Sequence, residues 1–158
     1  MEIRDGRVDD AAAATALWTE GYTMQGPEGR RTPYVEHEYL ESFARGRVLI
    51  AEEGGEVLGV VVFLAPGAAE WAAAEEAALT RLVVSGKARG RGIGRDLAER
   101  CSAEARAAGA ATIVLWSRPY QVGAHRLYES LGYRHAPDRD GSDADGGRRI
   151  FVLDLREG

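Results

Sequence analysis

The most constraining stretch of the chain is Leu82-Val83-Val84-Ser85-Gly86-Lys87-Ala88-Arg89-Gly90-Arg91-Gly92-Ile93-Gly94. An apolar, β-branched run passes through a short turn into an Arg/Gly-rich loop, and a helix opens at once. A helix N-terminus has free backbone N–H groups and a partial positive charge, so it attracts anions. Glycines at 90, 92 and 94 remove the side chains that would hold a phosphate away from those N–H groups. Arg89, Arg91 and Arg95 add positive charge around the same point. The loop reads as a pyrophosphate cradle, with Ile93 as its one apolar member.

Two common phosphate binders do not fit. A P-loop needs a Gly-Lys-Ser/Thr ending, and no Lys or hydroxyl residue follows Gly94. The dinucleotide fingerprint needs a third glycine where Arg95 stands.

The rest of the chain predicts alternating elements. Residues 2–4 form a short strand, and Asp9 and Asp10 cap a helix over 11–22 with Leu17 and Trp18 near its apolar side. A Gly/Pro/Arg-rich loop covers 23–33, and Leu40 and Phe43 mark a second helix over 35–45. Strands at 47–53 and 56–64 are joined by Gly54-Gly55, a strong hairpin signal. A loop at 65–70 leads to a strand over 76–84. The helix over 92–108 carries Ile93, Leu97, Cys101 and Ala105 on one face. The strand 111–117 is nearly all apolar, as for one buried on both faces. A helix follows over 121–131, then closing strands at 133–136 and 148–155. The Asp/Gly-rich stretch 137–147 reads as a mobile loop.

At 158 residues and with no linker or repeat, residues 1–158 read as one domain. A net charge of −5 argues against a nucleic-acid partner, whose footprint is usually basic. No apolar run approaches the ~20 residues that span a bilayer. The start, Met-Glu-Ile-Arg-Asp, shows no signal peptide, so the expected location is the cytoplasm, away from membranes. Cys101 is the one cysteine, has no metal-ligand spacing around it and reads as core, so no metal is expected. The basic residues are almost all Arg, with Lys87 the only lysine, and Ala is abundant, a usage typical of high-GC bacterial genomes.

The spacing Arg89-x-x-Gly92-x-Gly94, directly after Leu82-x-Val84, resembles the acyl-CoA signature of the GNAT superfamily of N-acetyltransferases. A second segment, Gln121-x-x-Ala124-x-x-x-Tyr128-x-x-x-Gly132-Tyr133, resembles that family's Asn-x-x-Ala-x-x-x-Tyr run closing on Gly-Phe or Gly-Tyr. It departs at Gln121, where Asn is usual. The resemblance covers the whole element order. It implies an α/β (α+β) GNAT fold: a mixed, mostly antiparallel sheet, splayed between its fourth and fifth strands, with about four helices.

The resemblance further implies acetyl-CoA as cosubstrate, an amine acceptor of unidentified kind, and direct transfer in a ternary complex. CoA would be held by Leu82, Val83 and Val84, by the loop Arg89 through Arg95, and by Gln121 and Ala124. A bulged strand would leave the Val84 N–H as oxyanion donor. Tyr128, one helical turn past Ala124, would be the general acid to the CoA sulfur; the bland alternative is a Tyr packed at the helix–sheet boundary. The family often places a Glu where this chain has Ala78, so Glu76, two residues earlier on the same strand face, is the side-chain base to weigh against a water relay. His125 falls one residue off the Ala124/Tyr128 face and reads as a surface residue, while His37 and His135 have no supporting context. Tyr22, Tyr34, Trp18 and Trp71 are available to line an acceptor site, and the acidic balance favours a cationic amine. Family members commonly form homodimers. A non-catalytic acyl-CoA sensor stays open beside the enzyme, and an Arg/Gly contact to RNA stays open as a third reading.

Overall fold

The structure, a computed structural model, describes residues 1–22 and 32–157. Most of the loop expected over 23–33 lies outside the described residues. In chain order the elements are β1 (Glu2–Asp5), α1 (Ala11–Tyr22), α2 (Glu36–Arg45), β2 (Arg47–Glu53), β3 (Glu56–Leu64), β4 (Ala77–Val84), α3 (Ile93–Ala107), β5 (Thr112–Ser117), α4 (Val122–Ser130), β6 (Arg134–His135), β7 (Gly141–Asp143) and β8 (Gly146–Asp154). Single 3-10 turns lie at Val8–Asp10, Gly86–Ala88, Pro137–Arg139 and Leu155–Glu157.

One mixed sheet runs β1-β2-β3-β4-β5-β8-β6, with β7 paired to β8. All pairs are antiparallel except β4 with β5. That parallel pair holds only at Ala77↔Ile113 and Ala78↔Val114, after which the strands part. From Leu79 to Val84, β4 therefore borders an open gap instead of a neighbour. This is the splayed sheet expected from the sequence.

Period-two alternation sends successive β3 side chains to opposite faces. Val61 and Phe63 join Leu49, Leu79, Leu97, Cys101, Ile113 and Tyr128 beneath α3 and α4. Val60, Val62 and Leu64 join Ala14, Trp18, Tyr39, Ile50 and Val114 beneath α1 and α2. Trp18 and Tyr39 are wholly buried, their rings 6.0 Å apart. Burying an aromatic of this size contributes ~1.5–3 kcal/mol, enough for two rings to anchor both helices to the sheet.

Three expectations need correction. The inner residue of α2 is Tyr39, whereas Leu40 and Phe43 are exposed. The stretch 137–147 is not a loop: a 3-10 turn leads into β7, which closes a hairpin on β8. Its Asp/Gly composition hides the strand, because the hairpin is held by charge and not by an apolar face. The Asp143 carboxylate takes both terminal nitrogens of Arg118 (2.8 and 3.0 Å) and Nε of Arg148 (2.8 Å). Finally, His125 is only 8% exposed; its ring packs 5.1 Å from that of Phe151 and bonds the Arg118 carbonyl through Nε2.

Candidate active site

The gap between β4 and β5 opens into a cleft of about 550 Å³. Leu82, Val83 and Val84 form one wall, Arg89, Gly90 and Gly92 through Arg95 the floor, and Gln121, Ala124 and Tyr128 the other wall, with Gly21 and Tyr22 above. The two sequence motifs, far apart along the chain, thus face each other across one space.

β4 is bulged. Val60 pairs with Val83 and Val62 with Thr80, so Val61 alone opposes both Arg81 and Leu82. Arg81 takes φ 54°, a left-handed conformation rare for a side-chain-bearing residue. Two side chains of α1 tie the bulge down: Trp18 Nε1 donates to the Arg81 carbonyl at 3.1 Å and the Tyr22 hydroxyl to the Leu82 carbonyl at 2.9 Å. Beyond the bulge, the Ser85 N–H donates to the Leu58 carbonyl at 2.8 Å. Ladder bonds alternate, so the N–H of Val84, one residue earlier and opposite Gly59, points away from β3 and into the gap.

In the loop, Gly90 and Gly92 have φ of 81° and 80°, and a Cβ on either would stand in open space. These positions require glycine for their backbone, and they keep the approach to the helix clear. Gly92 is the N-cap of α3, whose first internal bond runs from the Asp96 N–H to the Gly92 carbonyl. The N–H groups of Ile93, Gly94 and Arg95 are left for a ligand. Gly94 matters for packing instead. A Cβ there would meet Leu127 Cδ2 at 3.2 Å, so its smallness lets α4 come close. The donor set and open backbone fit a pyrophosphate.

The arginines divide. Arg89 makes no ion pair among the described residues and lines the cleft. Arg95 lines it too, steadied on Ser130 Oγ at 2.8 Å. The Arg91 guanidinium turns away, gripping both carboxylate oxygens of Glu53 at 2.9 and 3.0 Å, so only its backbone serves the loop. Gln121 lines the cleft, yet its Oε1 is engaged by Ser117 Oγ at 3.0 Å and the Arg118 N–H at 2.8 Å. The extra methylene relative to Asn lets the side chain fold back and close the β5–α4 turn.

Tyr128 is 5% exposed. Burial raises its pKa well above the ordinary phenol value, so it is a proton donor throughout the physiological range. No described residue hydrogen-bonds its hydroxyl, and the residue borders the cleft. Gly132, with φ 96°, ends α4 in a Schellman turn: the Tyr133 N–H bonds the Tyr128 carbonyl and the Gly132 N–H the Glu129 carbonyl, both at 3.0 Å. That turn and Tyr133, 5.8 Å away ring to ring, hold Tyr128 in place.

Glu76 stands elsewhere. It lies just before β4 and does not line the cleft. Its oxygens take both terminal nitrogens of Arg139 (2.7 and 3.1 Å), the Ala73 N–H (2.9 Å) and Thr112 Oγ1 (3.3 Å). Burial works to raise its pKa, but these donors outweigh burial and hold the carboxyl below its ordinary value. Glu76 is a structural anion joining β4, β5 and the turn after β6. His125 is a poor base as well: burial lowers its pKa, and its Nε2 is committed to the Arg118 carbonyl. Among the described residues, the cleft has neither a carboxylate nor an imidazole in its walls.

Of the aromatics expected at an acceptor site, Trp18 is core and Trp71 lines a surface hollow beside α2 that shares Thr80, Arg81, Trp116 and Arg148 with the cleft at Tyr22 and Tyr34. Tyr22 and Tyr34 do line a second, smaller cleft of about 200 Å³, contiguous with the first through Tyr22 and Gln121. Its other walls include Arg81, Trp116, Arg118 and Arg148, which motif and spacing do not single out. The one available signal is Arg81, the sole charge within an otherwise uncharged strand.

The family model described as the acetyltransferase (GNAT) family matches residues 12–133. The chain belongs to that family. Its fold is similar to that of an N-acetyltransferase from Staphylococcus aureus Mu50, with TM-score 0.78 and 22% identity over 98% of each chain. It is also similar to yncA of Salmonella typhimurium, solved with its cofactor acetyl-CoA, with TM-score 0.77 and 23% identity over 99% of this chain and 95% of that one. Among curated proteins, N-acetylaspartate synthetase of Rattus norvegicus is 40% identical over 57 residues, 36% of this chain but only 19% of the rat protein. No described helix is long and apolar enough to cross a membrane.

Proposed function

We propose that the chain transfers an acetyl group from acetyl-CoA to a primary amine by direct attack within a ternary complex. One observation carries the reading: the Val84 N–H, the glycine loop and the Tyr128 hydroxyl border a single cleft at the point where the sheet parts. Acetyl-CoA supplies an activated thioester carbonyl. The N–H groups of Ile93, Gly94 and Arg95, with the Arg89 guanidinium, bind the pyrophosphate. Backbone groups of β4 beyond the bulge align the extended pantetheine arm as an extra strand would. The Val84 N–H donates to the carbonyl oxygen as negative charge grows on it. Tyr128 donates its proton to the departing sulfur and recovers one from solvent. With no acidic or imidazole side chain in the described walls, the amine's proton leaves through water, and the enzyme favours amines that reach the cleft uncharged.

Titration calorimetry with acetyl-CoA, with Gly92→Glu as control, tests this reading. The mutation places a carboxylate at the phosphate loop. Wild-type binding that the mutation abolishes supports the cradle; absence of binding to folded wild type sinks the reading. A non-catalytic sensor is the second reading, motivated by the Gln121 amide oxygen being spent on its own turn. Tight acetyl-CoA binding with no acetylation of any amine would favour it.

A further inference from the structure

We propose that the acceptor is a primary amine that also carries a carboxylate, and that Arg81 is the residue that selects it. The inference rests on the acetyltransferase reading above and deepens it. It starts from the second cleft, which continues the CoA cleft past Tyr22 and Gln121 and opens between Tyr34, Arg81 and Trp116.

Arg81 is the residue that the β4 bulge displaces. Its φ of 54° is a conformation that costs an ordinary side chain free energy and that a glycine would take freely. A bulge re-aims the side chain it carries. Here the guanidinium comes to rest 4.9 Å over the Trp18 ring and 5.2 Å from that of Tyr34. It donates to Ser42 Oγ at 2.9 Å and, at 3.5 Å, toward the Glu38 carbonyl. No carboxylate among the described residues pairs with it. A guanidinium fork steadied by two aromatic rings, with donors left over, suits a planar anion.

The surroundings reinforce that charge. Arg118 and Arg148 line the same cleft, each 4.6 Å from the Trp116 ring, and they share the single carboxylate of Asp143. Asp145 is the other acid in the walls and is exposed at the rim. Three guanidiniums thus face two carboxylates, in a chain whose overall net charge is −5. The lining of this cleft carries one more cationic than anionic side chain, which counts against the cationic acceptor that the overall acidity favours.

Spacing fits as well. Arg81 lies three residues before Val84 on one strand, at most ~10 Å at ~3.3 Å per residue, and the bulge shortens that. Both groups therefore fall within the span of one small acceptor, with a short chain between its amine and its carboxylate. In the transfer the amine nitrogen bonds to the acetyl carbon, the carbon–sulfur bond breaks, the nitrogen loses a proton to water and the sulfur takes one from Tyr128. The carboxylate stays on Arg81 throughout. The products are an N-acetylated amino carboxylate and free CoA thiol.

The test is a set of matched acceptors with the full chain and acetyl-CoA. α-Amino acids, and ω-amino acids from glycine to 6-aminohexanoate, are each compared with their primary amides, following thiol release and product mass. At least one amino carboxylate should exceed its amide by tenfold or more in kcat/KM. Arg81→Asn, which tolerates the left-handed backbone, should raise KM for that acceptor about tenfold to a hundredfold. It should leave the amide's KM and the affinity for acetyl-CoA unchanged, and Arg81→Lys should restore part of the preference. Equal or better use of the amides, turnover confined to amines without an anionic group, or turnover of neither set with acetyl-CoA bound would overturn the inference. The wild-type comparison does not depend on any variant folding. Failure of acetyl-CoA to bind in calorimetry would instead remove the acetyltransferase reading and this inference with it, so the two failures are told apart.

Discussion

The hydroxyl of Tyr22 donates to the main-chain carbonyl of Leu82 at 2.9 Å, joining the last turn of α1 to the bulged strand. The ring is partly buried at the junction of the two clefts, and desolvation there pushes the phenol pKa well above its ordinary value, so the bond survives at alkaline pH. With Trp18 bonded to the neighbouring Arg81 carbonyl, it supplies partners that the bulge took from β3.

Tyr22→Phe is therefore expected to leave the Leu82 carbonyl short of a donor. A lost buried partner costs ~1–3 kcal/mol. Urea denaturation should show a loss in that range, and the acceptor KM should rise, because the wall shared by both clefts loosens. Full stability with unchanged kinetics would show that water replaces the hydroxyl without consequence.

Glu76→Gln separates structure from catalysis. The carboxylate links β4, β5 and the turn at Pro137–Arg139 through Arg139, Ala73 and Thr112. The variant should lose ~1–3 kcal/mol of stability, the cost of breaking a largely buried charged hydrogen-bond set. Its kcat/KM and the acid limb of its pH–rate profile should be unchanged. Because the folded carboxyl titrates below its ordinary value, its contribution is present above pH 4.5 and is lost as pH falls through the lower, folded value. Loss of the acid limb in Glu76→Gln would restore Glu76 as a base.

How far the chain announced this site depends on which forces made each part. The β2–β3 hairpin was legible because alternation and Gly54-Gly55 are local signals, and the strands fall at 47–53 and 56–64 as expected. The face of α3 with Leu97 and Cys101 was legible from helical period, and Cys101 is buried. The facing of the two motifs was legible through the family resemblance. The fate of Glu76 was not, because its partner Arg139 is 63 residues away and no period links them. Tyr39 displaced Leu40 and Phe43 as the inner residue of α2 because its hydroxyl reaches the Arg7 carbonyl at 2.6 Å, a tertiary contact invisible in the helix itself. His125 is buried because Phe151 and the Arg118 carbonyl converge on it from β8 and the β5–α4 turn.

The β7–β8 hairpin should be sensitive to acid. Burial alone would raise the Asp143 pKa, but hydrogen bonds from Arg118, the Asp145 N–H and Arg148 bring it down from 3.8 to about 2. The folded value lies below the unfolded one, so the stabilisation is complete above about pH 4 and fades as pH falls toward 2. A gap of that size corresponds to ~2 kcal/mol. Asp143→Asn should cost about that much at pH 7 and flatten the stability curve between pH 4 and 2, read by thermal melts across pH. It should also free Arg118 and Arg148 and so strengthen, not weaken, the binding of carboxylated acceptors.

Tyr128→Phe is the sharpest probe of the chemistry. The ring is held by Tyr133 at 5.8 Å and Phe151 at 6.1 Å, contacts that a phenylalanine keeps. Its hydroxyl has no hydrogen-bond partner among the described residues, so removing it orphans none of them. The fold and acetyl-CoA affinity should therefore be nearly unchanged, with Kd within about threefold. A positioned general acid is worth ~10²–10⁴ in rate, so kcat should fall by about a hundredfold or more. Acetyl-CoA analogues with better thiol leaving groups should recover part of that loss, since they need less protonation at sulfur. A fall in affinity equal to the fall in turnover would make Tyr128 a packing residue at the helix–sheet boundary, and the proton would then have to reach sulfur from water. The pH profile adds an independent check: a phenol pKa raised by burial leaves the acid form intact above pH 10, so the wild type should show no alkaline limb from this group.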